Sequence, residues 1–181
     1  MPRPFQYLRE YLFLQEGENS CAVAAVRTVF ALQFAVVAEE EILEILGNDA
    51  KKPISENGTD NVTMRRMVKN ASMAFNTGSP WKLKVKKKAT LDELRVELES
   101  HRFPIVTVTT VHKSLETQLH AVVVLGMDAT HVTFHDPARA APAAMRKTHD
   151  QFLKWWTIVN GDTEYAVVTG GEPLPTPPLE S

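Results

Sequence analysis

Gln15-Glu-Gly-Glu-Asn-Ser-Cys21 runs straight into Ala22-Val-Ala-Ala-Val-Arg-Thr-Val-Phe-Ala-Leu-Gln33. Asn19 and Ser20 are favoured helix N-cap residues. Ala22, Ala25, Val26, Val29 and Phe30 recur at helical spacing, so a helix is predicted from Cys21 to about Gln33. The chain's one cysteine then falls in the first helical turn, where unpaired backbone N–H groups and the positive end of the helix dipole favour a thiolate. The thiolate is the nucleophilic form, and helix N-termini are one of the places where a thiol pKa falls. Gln15 lies six residues upstream and brings a side-chain N–H donor on the incoming loop. Together with the Cys21 backbone N–H it could bracket an oxyanion. A lone cysteine is more often a small buried hydrophobe, so a catalytic reading needs a base elsewhere in the chain.

Moving outward, Phe5, Leu8, Leu12 and Phe13 predict a short helix or strand packed on the core ahead of the Gln15 loop. Glu39-Glu-Glu41 opens a second helix striped by Ile42, Leu43, Ile45 and Leu46 and stopped by Gly47, and residues 48–58 read as a loop. Gly58-Thr-Asp60 starts a third helix with Met64, Met67, Val68 and Ala71 on its core face. After Ser79-Pro80 the character changes. Trp81, Leu83 and Val85 alternate with lysines, which predicts a lysine-faced edge strand rather than a nucleic-acid surface, since no aromatic residues interleave the basic face. Thr90-Leu-Asp-Glu93 is a capping box opening a helix through Leu94 and Leu98. Residues 104–111, 119–125, 131–136 and 164–169 read as strands, and Thr148-His-Asp-Gln151 caps a last short helix through Phe152 and Trp155 or Trp156. Helices first and a mostly antiparallel sheet afterwards give an α+β fold, with a cleft between the two halves. Residues 1–171 are expected to form a single domain, and 172–181 a Pro-rich disordered tail.

The base comes from the strand half. His120 opens one strand and Asp136 closes the next. A five-residue turn centred on Asp128 pairs 125 with 131 and, continued, 120 with 136. Directly opposite residues have Cβ atoms about 4.5–5.5 Å apart, close enough for a carboxylate to orient an imidazole. Cys21, His120 and Asp136 then follow the logic of a nucleophile, its base and the base's orienter. His131 and His135 share a strand face, but no cysteine lies near them in sequence and Asp136 is on the other face, so no metal site is expected. His101, His112 and His149 lie near element ends and are expected to be solvated.

The bulk numbers limit the function classes. The chain has 181 residues, a net charge of −2 and both signs interspersed, which argues against nucleic acid or an anionic membrane surface as partner. A single cysteine excludes an internal disulfide and fits a reducing compartment. No signal-peptide h-region and no run of membrane-spanning length appears, so a soluble cytoplasmic protein is expected.

These residues resemble a papain-like cysteine peptidase, and most of all the bacteriocin-processing, double-glycine leader peptidases. The resemblance runs from about Tyr11 to Thr169. It rests chiefly on the spacings Gln15 to Cys21 and His120 to Asp136-Pro137, with support from strand His120–Gly126, the Pro104-Ile-Val strand and the Phe152–Trp155 helix. It implies that Cys21 is the nucleophile, His120 the general base, Asp136 its orienter and Gln15 an oxyanion donor, with no cofactor. That family usually reads Asp-Cys-Gly where this chain reads Ser20-Cys21-Ala22, which implies different subsites beside the sulfur. Many relatives are fused to a membrane transporter, whereas this chain shows neither membrane spans nor a nucleotide-binding loop. Gly170-Gly171 invites the idea of self-processing, against the simpler reading of a strand-ending loop.

The expected activity is hydrolysis of a peptide or protein substrate through an acyl-enzyme. Two rivals use the same scaffold. One is a transglutaminase-like acyltransferase that passes the acyl group to an amine. The other is a non-catalytic peptide-binding module, which has no need of Gln15 and Cys21 together.

Overall fold

The computed structural model describes residues 11–15, 20–34, 61–74, 79–111, 117–140, 144–156 and 162–170. The predicted helix at 39–46, the loop at 48–58, the helix start at Gly58-Thr-Asp60 and the tail at 172–181 lie outside the described residues, as do Phe5, Leu8 and His112.

Among the described residues, four helices and six strands form a three-layered α+β arrangement. The helices are α1 (Cys21–Phe34), α2 (Asn61–Ala74), α3 (Leu91–Glu99) and α4 (His149–Trp156). The strands are β1 (Lys82–Lys87), β2 (Ile105–Val111), β3 (Thr117–Met127), β4 (His131–His135), β5 (Met145–Thr148) and β6 (Glu164–Thr169). They pair in the order β1-β6-β2-β3-β4-β5, every pair antiparallel.

Strand alternation divides the core. Ala121, Val123, Leu125, Ala166 and Val168 pack with Val26, Val29 and Phe30 of α1 and with Met64, Met67 and Val68 of α2. Val122, Val124, Phe134, Tyr165 and Val167 pack on the other side with Leu94 of α3 and with Phe152 and Trp156 of α4. Central strands buried on both faces need near-continuous apolar runs, and His120-Ala-Val-Val-Val-Leu125 supplies one. The second helical layer is an addition to the two-layer packing expected from element order.

Several local expectations are met. β1 is an edge strand with Trp81 and Leu83 inward and its lysines mostly exposed. Thr90 and Glu93 close a full capping box. The Thr148 hydroxyl accepts from Gln151 N–H, and the Gln151 side chain accepts from Thr148 N–H. β5 was not anticipated: it is four residues long, polar except for Met145, and among the described residues joins the sheet by pairing with β4.

The β3–β4 register differs from expectation. β3 continues to Met127, and the turn is tightened by Asp128, whose carboxylate accepts from the N–H groups of Thr130 and His131. Met127 pairs with Val132, a bulge follows between Val124 and Gly126, and the ladder ends with Val123 opposite His135. Continued, this register sets Asp136 opposite Val122, so Asp136 approaches His120 along the diagonal. The shift from the expected pairing is two residues. An even slip keeps every side chain on its face, so His120 and Asp136 still share one.

Gly170 ends β6 with φ +90°, and a Cβ there would lie 2.3 Å from the Pro80 carbonyl oxygen. The glycine is thus required by backbone conformation and close approach. Gly170→Ala is expected to lose about 2–4 kcal/mol of stability through strain and displacement of the 80–81 backbone. Urea unfolding monitored at Trp81 measures it, and an unchanged midpoint would contradict this account.

Candidate active site

Cys21 is the first residue of α1. Ser20 precedes it as the N-cap, its carbonyl accepting from Ala24 N–H at 3.0 Å to close the first helical turn. The sulfur is half-buried and meets the start of β3. The His120 imidazole and the Ala121 N–H both hydrogen-bond to it, and its own neighbour Ala22 adds a third donor.

On its other side, the His120 ring is anchored by Asp136, with Nε2 2.6 Å from Oδ1. That leaves Nδ1 as the ring nitrogen that can face Cys21. Both side chains are nearly enclosed, at 11% and 8% exposure. Asp136 is held in turn. Its Oδ1 accepts from Ala138 N–H at 2.9 Å, Arg139 Nε lies 3.6 Å from Oδ2, and Arg139 N–H closes a turn onto the Asp136 carbonyl.

Charge dominates burial throughout this row. Burial pushes the Cys21 thiol up, yet hydrogen bonds from His120 and Ala121 and the imidazolium charge bring it below its ordinary value. Burial pulls His120 down, but the bonds and charges of Asp136 and Cys21 raise it to about 9. Burial likewise pushes Asp136 up, and His120, Ala138 and Arg139 hold it below the usual carboxylate value. All three groups are thus shifted toward their charged forms, the thiol and the carboxylate downward and the imidazole upward, each supporting its neighbour.

Gln15 arrives by a separate route. Its backbone N–H donates to the Pro137 carbonyl at 2.9 Å, one residue past Asp136, and its side chain is half-buried. Among the other histidines, His101 is exposed as expected and adopts a left-handed backbone with φ 54°. His149 is not solvated as expected: it is half-buried, with Nε2 enclosed. His135 is 1% exposed and donates from Nε2 to the Phe13 carbonyl at 2.8 Å. The sequence reading missed the Ala121, Ala22 and Ala138 N–H groups because backbone donors leave no mark in residue identity. Among the described residues no group of three or more His, Cys, Asp or Glu could hold a metal ion.

The model of the Peptidase_C39 like family matches residues 5–163. The fold is similar to that of a C39-like peptidase from Bacillus anthracis, with TM-score 0.60, 14% identity, and 91% of this chain and 98% of that one covered. It is also similar to the peptidase domain of Streptococcus ComA, a bifunctional ABC transporter involved in a quorum-sensing pathway. There the TM-score is 0.57 at 16% identity, with 86% and 96% of the two chains covered. The Streptococcus mutans ComA peptidase domain gives TM-score 0.52 at 15% identity, covering 90% and 99%. No curated protein matches the sequence.

The pairing of Cys21 with His120 sets a pH signature. Alkylation of Cys21 by iodoacetamide should rise at a pH below the ordinary thiol range, because the lowered pKa leaves thiolate present there. In His120→Ala the burial remains while the imidazole's bond and charge are gone, so the profile should move to higher pH. Rates measured between pH 4 and 10 check this. Coincident profiles would mean that His120 does not activate the sulfur.

Proposed function

The chain belongs to the Peptidase_C39 like family, and from that premise we propose that it is a cysteine peptidase working through Cys21, His120 and Asp136, with Gln15 as oxyanion donor. The observation that carries the proposal is the unbroken row of Cys21, His120 and Asp136, with the imidazole hydrogen-bonded to the sulfur and its Nε2 2.6 Å from Asp136. A binding module would have no use for a buried charge relay whose members each oppose the cost of burial.

In the proposed reaction the Cys21 sulfur attacks the scissile carbonyl carbon and the carbonyl electron pair moves onto oxygen. The Gln15 side-chain amide and the Cys21 backbone N–H donate to that oxyanion. As the tetrahedral intermediate collapses, the C–N bond breaks and His120 passes its proton to the departing amine. This leaves a thioester and a neutral imidazole, with Asp136 fixing the ring's orientation. His120 then takes a proton from water, the resulting hydroxide attacks the thioester, and the Cys21 thiolate leaves as the imidazolium is restored. A second partner for the proton is not required, since the same nitrogen donates and later accepts.

The substrate in this proposal is a peptide or protein chain, and processing of a leader peptide is the specific role carried over from the family resemblance. Among the described residues no helix is long and apolar enough to cross a membrane. A reducing compartment, the cytoplasm, is the proposed location, on the strength of the free thiol.

Digestion of a mixed peptide library followed by mass spectrometry tests the activity. Cys21→Ala should abolish cleavage without loss of fold, and retained cleavage in that variant would overturn the proposal. Gln15→Ala should lose roughly 10²–10³-fold in kcat. Asp136→Asn should lose less than His120→Ala, because the base remains but is less well oriented. For the wild type, rates should decline as pH rises through about 9, where His120 gives up the proton needed by the leaving amine. Adding a primary amine and finding its conjugate in place of the hydrolysed product would assign acyl transfer instead.

A further inference from the structure

Residues 11–15 form a strap that crosses from α1 to the end of β4, and Phe13 is tied to both. Its N–H donates to Thr28 Oγ1 of α1 at 3.1 Å, and its carbonyl accepts from His135 Nε2 at 2.8 Å. The Arg27 guanidinium lies over its ring, 4.4 Å from the centroid. Two residues on, Gln15 N–H is held by the Pro137 carbonyl. Thr28, Arg27 and His135 are all buried, so the bonds to Phe13 cannot be exchanged for water without cost. A carbonyl only accepts, which fixes a proton on His135 Nε2.

The reaction described above does not use His135, although it is the residue immediately before Asp136. We infer that His135 is a positioning residue for the oxyanion donor. It clamps the Phe13–Gln15 strap to the same strand end that carries Asp136, so that Gln15 and the His120–Asp136 pair are held in fixed relation. A donor serves a developing oxyanion only when it is held to within a fraction of an ångström, and the strap has no ladder of its own to do this. The inference rests on the oxyanion role proposed for Gln15.

Two reagents for Cys21 separate positioning from general stability. p-Nitrophenyl acetate acylates the sulfur through a tetrahedral oxyanion, forming the thioester C–S bond and expelling p-nitrophenolate. Iodoacetamide forms a C–S bond by displacing iodide, with no oxyanion at any stage. His135→Leu should slow acylation about 10–100-fold while leaving the alkylation rate and its pH profile unchanged. His135→Gln, whose amide nitrogen can occupy the place of Nε2, should recover most of the loss. Thr28→Val unties Phe13 from the α1 side and should give the same split, which covers the case in which His135→Leu does not fold. In a Gln15→Ala background, His135→Leu should cost nothing further.

Equal slowing with both reagents would overturn the inference, as would full additivity with Gln15→Ala. Wild-type acylation in Gln15→Ala would overturn the oxyanion reading and this inference with it. A loss in Gln15→Ala with none in His135→Leu and Thr28→Val would overturn the inference alone.

Discussion

The site depends on the burial of α1 against β3. Nearly every side of α1 is enclosed, from Ala22 through Phe30 to Phe34, and each large apolar side chain fully buried contributes about 1.5–3 kcal/mol. That burial fixes the helix over the row Ala121, Val123 and Leu125. Its N-terminus is thereby set at the start of β3, where Ala121 and His120 meet the Cys21 sulfur. A helix with one apolar stripe could roll on the sheet; one buried on nearly all sides has far less freedom to do so. Because Cys21 is its first residue, the packing of the core and the placement of the sulfur are a single constraint.

At the end of that helix two opposing effects of burial are balanced. Enclosure alone would leave Cys21 a thiol and His120 a neutral imidazole, since both charged forms lose hydration. Each charge instead supports the other, and Asp136, held by Ala138 and Arg139, adds a fixed negative charge behind the ring. The outcome is directional: the thiol goes down, the imidazole up to about 9 and the carboxylate down. Low dielectric makes each pairing stronger at the same time as it makes an unpaired member costly. Removing one member of the row therefore disturbs the others, which is why the row behaves as a unit rather than as three independent groups.

The hairpin shows how an expected contact, His120 with Asp136, can form on a ladder other than the one expected. Reading β3 to Leu125 and a five-residue turn placed His120 directly opposite Asp136. In fact the strand runs on to Met127 and a bulge separates Val124 from Gly126. The pair survived because the net slip was even and a diagonal neighbour is still within side-chain reach. An odd slip would have put Asp136 on the opposite face. No residue in 119–136 announces the bulge, since Gly126 reads equally well as part of a turn. β5 was missed for a related reason. Its four residues, Met145 and three polar ones, have no clear apolar alternation and form a strand by pairing with the edge of β4.

What the sequence determined by itself is local. The helix opening at Cys21, the capping boxes at Thr90 and Thr148, the lysine-faced edge at β1 and the core face of α2 all arise from residues within one or two turns of each other. Short-range hydrogen bonding and side-chain periodicity are sufficient to specify them. The pairing of Cys21 with His120 spans about a hundred residues of chain, and neither its distance nor its electrostatics is encoded near either residue. Tertiary structure decided the second helical layer, the insertion of β6 between β1 and β2, the enclosure of His149 Nε2 and the bonds that tie Phe13 between Thr28 and His135. These depend on which surfaces are brought together when the whole core closes. A strand's neighbours and a histidine's partner are properties of that closure, not of the residues beside them in the chain.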